Sequence, residues 1–488
     1  MRAVSAKVFL LFLLLAAASP GARADAVLDW DALMLDAIRA DTTAPTISTR
    51  NLAILHLAIY DAVNAILRTH QPYQFQPPPP PEADPVAATI GAGYEVMKSL
   101  YPTFRARTDQ LYQSGVAGLP PGAATSQSLA FGADVALLTL AARQADGANT
   151  DIPYIPSDAP GQWRRSPPFF RPPLTPQWRY VRLFCLPEKE PFVPPPPPPL
   201  DSPEYAADLN EVKALGGKGS SVRSAYDSQS AVFWSDFSYT VTPPGHWMEM
   251  AADIARGRSN TLADNARLFA LLGLAQADSA IVCWEAKYRY NFWRPVTAIH
   301  RAAEDGNPDT IPDPTWDHFL VSPPFPDHTS GHSTFSAAAG EVLRQFYGSD
   351  DLTFTAASDS LPGVFRTYTS LTACVDEIAM SRIYGGIHFQ SASRDGKTSG
   401  RKVAQHIMAN FLLPNDMLPA LAWESLAPPV RQLRLHGRVG QPIVLEATGD
   451  FATWAGIFTN LAKPGGVAAA MPLADLECLF FRVRQVQP

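Results

Sequence analysis

The sequence predicts a mainly α protein built of helical bundles, with a small β module at the C-terminus. Three observations predict it. Apolar residues recur at helical spacing in long stretches between residues 27 and 412, as in amphipathic helices sharing a core. The chain has 488 residues and is 46% hydrophobic, enough to bury large cores and to suggest more than one domain. From Arg431 the texture changes to short strand-like runs, "QLRLHGRVGQPIVLEATG" and "CLFFRVRQ", separated by Gly, Pro and Asn.

The chain opens "MRAVSAKVFLLFLLLAAASPGARADA". Arg2 and Lys7 make a basic start, Val8 to Ala18 an apolar core and Ala22-Arg23-Ala24 a cleavage site, so residues 1–24 read as a secretory signal. The apolar run is too short for a comfortable membrane span, and no later stretch reaches about eighteen apolar residues. The expected product is exported, periplasmic or extracellular, without a membrane span.

A first helical domain is expected over 25–210. "LDWDALMLDAIRAD" and "ISTRNLAILHLAIYDAVNAIL" carry helical periodicity, as do residues 89–100 and 123–144. Two proline runs, Pro77 to Pro81 and Pro194 to Pro199, hold eleven of the 47 prolines and predict stiff spacers or surface wraps. A proline- and aromatic-rich passage over 151–204 leads to a second helical domain, 211–415, with its lead-in helix at "SPEYAADLNEVKAL". One long helix is expected from Thr261 to Pro295, a residue that cannot extend it, with further helices over 333–347, 370–383 and 395–412. The β module occupies 430–488 and resembles small modules appended to secreted bacterial proteins.

The formal net charge of −7 gives no general attraction to nucleic acid, so any cationic site must be local. Four cysteines (Cys185, Cys283, Cys374, Cys478) lack metal-ligand spacing and allow one or two disulfides.

Chemistry concentrates in three stretches. "PDHTSGHSTF", residues 326–335, places two histidines, serines and a glycine at the mouth of a helix. Helix N-termini present unpaired N–H groups to anions, while Thr329, Ser330 or Ser333 could equally serve as an ordinary N-cap. In "WEAKYRYNFWRP", Lys287 and Arg294 are seven apart, which puts both on one helical face among aromatics. In "MSRIYGGIHFQ", Gly385 and Gly386 permit a turn that folds His388 back towards Arg382. A zinc pair of His328 and His332 lacks a third ligand.

Together these stretches resemble the superfamily of type 2 phosphatidic acid phosphatases and vanadium haloperoxidases. The order is Lys-x6-Arg-Pro, Ser-Gly-His, then Ser-Arg-x5-His, with 33 residues between Pro295 and Thr329 and 48 between His332 and Ser381. The motifs span 284–388, and the helical texture extends the resemblance over most of 27–415. Trp284 before the lysine and the "PPFP" at 323–326 look closer to the soluble vanadium-dependent haloperoxidases.

The resemblance implies a haloperoxidase-like helical fold and a vanadate cofactor. Lys287, Arg294, Ser330, Gly331 and Arg382 would bind the oxyanion, with His388 as vanadium ligand and His332 as general acid–base. Trp284 and Phe325 would line a halide pocket, and Asp236, in "FWSDFSYTVTPP", would orient an active-site arginine. Substrates would be hydrogen peroxide, a halide and an organic acceptor, with no nucleic acid partner; a homodimer is compatible. The same residues would serve an exported acid phosphatase, with His388 attacking a phosphate monoester, and a non-catalytic phosphate- or vanadate-binding protein is a third reading. Two positions depart from the superfamily pattern. Thr329 stands where a proline is expected. Ala392 stands where an aspartate supports the ligand histidine, a part that Asp395 or a backbone carbonyl would have to take.

Overall fold

The helices begin where capping chemistry allows. The computed structural model describes residues 25–415, 420–425, 430–436, 442–448, 452–461, 467–472 and 480–485; the expected secretory signal and Cys478 lie outside them. Helix α1 (Ala26–Ala40) starts behind Asp25, whose carboxylate accepts the Val27 N–H. Helices α2 (Pro45–Leu67) and α3 (Pro85–Leu100) each start on a proline, whose missing N–H costs nothing in a first turn. Helices α4 (Arg105–Ala117) and α5 (Ala123–Arg143) follow. The sequence reading missed α4 because Thr108 is its only buried residue, so it carries no apolar stripe.

The proline-rich passage is anchored rather than merely spanned. Asp278 accepts the N–H groups of Phe184, Cys185 and Leu186 at 2.7, 2.8 and 2.9 Å. The second proline run is fastened by Tyr290, which donates to the Pro194 carbonyl at 2.6 Å.

Helices α6 (Pro203–Gly216), α7 (Ala225–Phe233) and α8 (Thr242–Gly257) lead to α9 (Leu262–Tyr290), the central helix. It packs against α2 and, beyond it in sequence, against α11 (Gly331–Tyr347) and α13 (Gln390–Asn410). Surrounded in this way, α9 is apolar almost all round; it is long and apolar enough to cross a membrane, yet it lies buried inside the protein. Its end differs from the expectation. The helix stops at Tyr290 with Asn291 left-handed (φ 50°) as its C-cap, and Pro295 opens a new short helix, α10 (Pro295–His300). Lys287 and Arg294 therefore sit on different elements, not on one helical face.

Helix α12 (Leu371–Tyr384) completes the second half, and the sequence reading did not foresee the hairpin before it, β1 (Phe354–Ala357) with β2 (Phe365–Tyr368). One apolar core runs from Trp30 in α1 through Leu55 and Leu272 to Val342 and Ile407. A smaller core gathers Tyr205, Trp293, Val296, Trp316 and Phe389 beneath the 290–300 segment. Helices α11 and α13 cross so closely that a Cβ on Gly400 would lie 2.1 Å from the Thr334 carbonyl oxygen. Cys185, Cys283 and Cys374 are free thiols, so the disulfides that the sequence allowed do not form among these three.

Among the described residues, six strands form the C-terminal module: β3 (Ala420–Ser425), β4 (Val430–His436), β5 (Pro442–Thr448), β6 (Ala455–Leu461), β7 (Val467–Pro472) and β8 (Phe480–Gln485). They make two three-stranded antiparallel sheets, ordered β3-β4-β7 and β6-β5-β8. Leu433 and Leu435 from one sheet meet Ile443 and Leu445 from the other in a single small core.

Candidate oxyanion site

Ser330 is the N-cap of α11, and its hydroxyl accepts the Ser333 N–H at 3.4 Å. Its own N–H donates to the Ala392 carbonyl at 3.0 Å, so the first turn of α13 holds the mouth of α11. The capping reading of this stretch is the one observed, and the cap residue opens a helix whose first residues, Gly331 and His332, line a cavity of about 240 Å³. Arg382, His388 and Asp236 also line it, and Trp284, Phe325 and Leu174 supply an apolar wall. Trp284 and Phe325 pack at 5.1 Å between ring centroids.

Lys287, Arg294 and Ser330 form the layer behind this wall. The Lys287 ammonium donates to the carbonyls of Pro326 and Asp327, both at 3.0 Å, and to that of Thr329. It thereby clamps the loop that delivers Ser330. Arg294 donates from Nε to the Phe325 carbonyl at 2.8 Å and from Nη1 to the Ile387 carbonyl at 2.6 Å. Both cations lie over the Phe325 ring, at 4.7 and 4.9 Å from its centroid. Burial pushes the Lys287 ammonium down to about 7, helped by the neighbouring Arg294 charge. It lowers Arg294 and Arg382 as well, although a guanidinium remains charged at any physiological pH.

The turn through Gly385 and Gly386 returns His388 to the cavity as the sequence predicts. Gly386 has φ +72°, and a Cβ there would meet the Gly216 carbonyl at 2.3 Å, so only glycine fits. His388 presents Nδ1 to Asp327 Oδ1 at 2.9 Å and Nε2 to Arg294 Nη1 at 3.2 Å. Burial, then the charges of Arg294, Lys287 and Arg382, hold its imidazole well below the ordinary value, so the ring is neutral. His332 is likewise held well below its ordinary value by burial and by Arg382. Its Nε2 lies 3.8 Å from Asp236 Oδ2, while the other oxygen of Asp236 sits 3.1 Å from His246 Nδ1. Asp236 thus pairs with two histidines and reaches Arg382 through its charge; the arginine donates to the Trp234 carbonyl at 2.5 Å.

Asp395 does not take the missing aspartate's part. It pairs with Arg394 at 2.8 Å and lies 3.9 Å from His328, away from His388. His328 itself turns away from His332, its Nε2 meeting the Pro195 carbonyl at 3.0 Å, which removes the zinc reading of that pair. Sequence reasoning missed Asp327 and His246. Asp327 was visible, next to His328 in the most informative stretch, but nothing in sequence tells which of two neighbouring residues faces His388. Nothing in sequence marks His246.

Residues 267–413 match the family model described as the VCPO second helical-bundle domain. A vanadium chloroperoxidase from Curvularia inaequalis is 26% identical over a 469-residue alignment covering 72% of this chain and 76% of that protein. Among solved structures, the first bacterial vanadium-dependent iodoperoxidase superposes with a TM-score of 0.71 at 29% identity, covering 81% of this chain and 97% of that one. A holo-type bacterial vanadium-dependent chloroperoxidase shares the fold with a TM-score of 0.60 at 19% identity, covering 74% and 91%. Residues 267–413 thus match a vanadium haloperoxidase-like domain, and the chain is similar in sequence and fold to vanadium haloperoxidases over most of its length.

Proposed function

We propose that this protein is an exported vanadate-dependent haloperoxidase, oxidising halide with hydrogen peroxide to hypohalous acid that halogenates an organic acceptor. One observation carries the reading. Buried donors without a hydrogen-bond partner, Arg294 Nη2 and Arg382 Nε, flank a neutral histidine beside a helix N-terminus. Isolated buried donors are costly, and an oxyanion is the ligand that satisfies guanidinium groups converging in this way. The residues present therefore fit vanadate. Export is supported by the basic and apolar pattern of residues 1–24.

When bound, vanadate supplies a Lewis acid that activates peroxide towards a halide. The chain's own residues do the rest. Arg294, Arg382 and Lys287 offset negative charge, and the N–H groups at Ser330 and Gly331 add the positive end of α11. His388 offers the Nε2 lone pair. His332, neutral at working pH, keeps its proton at Nε2 on the Asp236 side and takes up the peroxide proton at Nδ1. Asp236 stabilises the imidazolium that results. Trp284 and Phe325 exclude water where the halide must lose its hydration, which strengthens every charge interaction there.

The test is halogenation of a reporter dye with peroxide, with and without added vanadate, beside a phosphomonoester assay. Vanadate-dependent halogenation is expected. Phosphatase activity without vanadate, inhibited when vanadate is added and unaccompanied by halogenation, would replace this reading with the acid phosphatase.

A further inference from the structure

We propose that Asp327 is the positioning residue for His388, taking over from a loop the part that an aspartate on α13 would play at position 392. The inference rests on the vanadate reading above, since it concerns the histidine that would bind the cofactor.

Asp327 Oδ1 lies 2.9 Å from His388 Nδ1, and the two side chains are 0% and 2% exposed. Neither Asp327 carboxylate oxygen has a well-directed hydrogen bond, and the His388 imidazole at 2.9 Å is a nearer neighbour than the Arg294 guanidinium at 3.7 Å. Arg294 Nη1 stands 3.2 Å from Nε2 and 3.5 Å from Nδ1. The acceptor is thus nearest Nδ1, and the donor is nearer Nε2 than Nδ1. With Asp327 ionised, a neutral imidazole satisfies both with its proton on Nδ1 and its lone pair on Nε2. That is the tautomer a ligand histidine needs.

The carboxylate is held from both sides of its own backbone. The Asp327 N–H donates to the Phe292 carbonyl at 2.9 Å, and its carbonyl accepts from Lys287 at 3.0 Å. Ala392, where the resemblance expects the carboxylate, is fully buried, and its carbonyl receives the Ser330 N–H. The supports have exchanged elements: α13 steadies the oxyanion loop, and that loop steadies the histidine ahead of α13. Lys287 then serves ligand geometry as well as charge, because it clamps the segment that carries Asp327.

The tautomer is read directly from 15N chemical shifts of histidine-labelled, vanadate-free protein, with His388→Ala used only to assign the signal. Wild-type His388 is expected to carry its proton on Nδ1. Asp327→Ala should move the proton largely to Nε2 and weaken vanadate binding, followed by equilibrium dialysis, by about 10–100-fold. Asp327→Asn keeps an oxygen acceptor and should restore the tautomer, with affinity within about tenfold of wild type. A wild-type ring protonated on Nε2 overturns the proposal without any variant having to fold. So does a folded Asp327→Ala protein with unchanged tautomer and affinity. Failure of the wild-type protein to bind vanadate would instead overturn the cofactor reading, while the 15N shifts still judge Asp327.

Discussion

Replacing Gly400 by alanine sets two physical effects against each other with opposite signs. In a helix interior alanine is better than glycine by about 0.8–1.0 kcal/mol, so propensity alone predicts a more stable protein. Packing predicts the reverse. The new Cβ would lie 2.1 Å from the Thr334 carbonyl oxygen, with the Thr334 carbonyl carbon at 3.0 Å and the Ala338 nitrogen at 3.1 Å. All three are backbone atoms, so relief requires α13 and α11 to separate. Overpacking of this kind typically costs about 1–3 kcal/mol, and a backbone clash belongs at the upper end. Subtracting the propensity gain leaves a net loss of about 2 kcal/mol.

The same separation would loosen the Ser330 N–H bond to Ala392, because Thr334 lies one turn beyond Ser330 and Ala392 is in the first turn of α13. A misplacement of about 1 Å at a reacting site costs about 10²-fold in rate. Denaturant unfolding and steady-state halogenation measure both effects. Gly257→Ala, at the exposed end of α8 with nothing within 4 Å of the new Cβ, is the control and should be neutral or slightly stabilising. If Gly400→Ala proved as stable as wild type with unchanged activity, the close helix crossing would not be what holds the site together.

The histidines should separate binding from chemistry. His388→Ala is expected to abolish vanadate uptake in equilibrium dialysis, whereas His332→Ala keeps affinity within about tenfold and lowers turnover by about 10²–10⁴. Reversed outcomes would exchange their roles. Burial raises the Asp278 carboxyl from the ordinary carboxylate range to about 6, despite three backbone N–H donors. Because the folded value is the higher one, its favourable contribution is present below about pH 4 and is lost as pH rises through about 6. Asp278→Asn should thus become more stable relative to wild type by roughly 2 kcal/mol between pH 4 and pH 7, measured by urea unfolding at each pH; a constant difference would refute it. Phe325→His or Trp284→Ala should depress chloride oxidation more than bromide oxidation while vanadate affinity holds. Equal losses that track thermal stability would make the pair packing alone.

Much of this protein is local and therefore legible in the chain itself. Helical periodicity marks α2, α5, α9 and α12 because each buries an apolar stripe or a full circumference against neighbours. The motif residues Lys287, Arg294, Ser330, Gly331, His332, Arg382 and His388 could be named from the superfamily resemblance that their order in the chain carries. The strand-like texture from Arg431 likewise announced a β module, whereas its two sheets meeting at Leu433, Leu435, Ile443 and Leu445 emerged only in the structure.

What sequence could not decide was direction. Whether Asp327 or Asp395 supports His388 depends on which carboxylate faces the ring, and that is set by Lys287 and Phe292 holding the loop. Whether Lys287 points into the cavity or clamps its wall depends on three carbonyls brought to it by the fold. The break of α9 at Asn291, which put Lys287 and Arg294 on separate elements, came from a left-handed residue that no apolar pattern records. The pairing of Asp236 with both His246 and His332 joins α8 to α11 across the core. Periodicity reports which face of an element is buried, whereas the partner that a buried polar group finds is settled only when elements distant in sequence close around it.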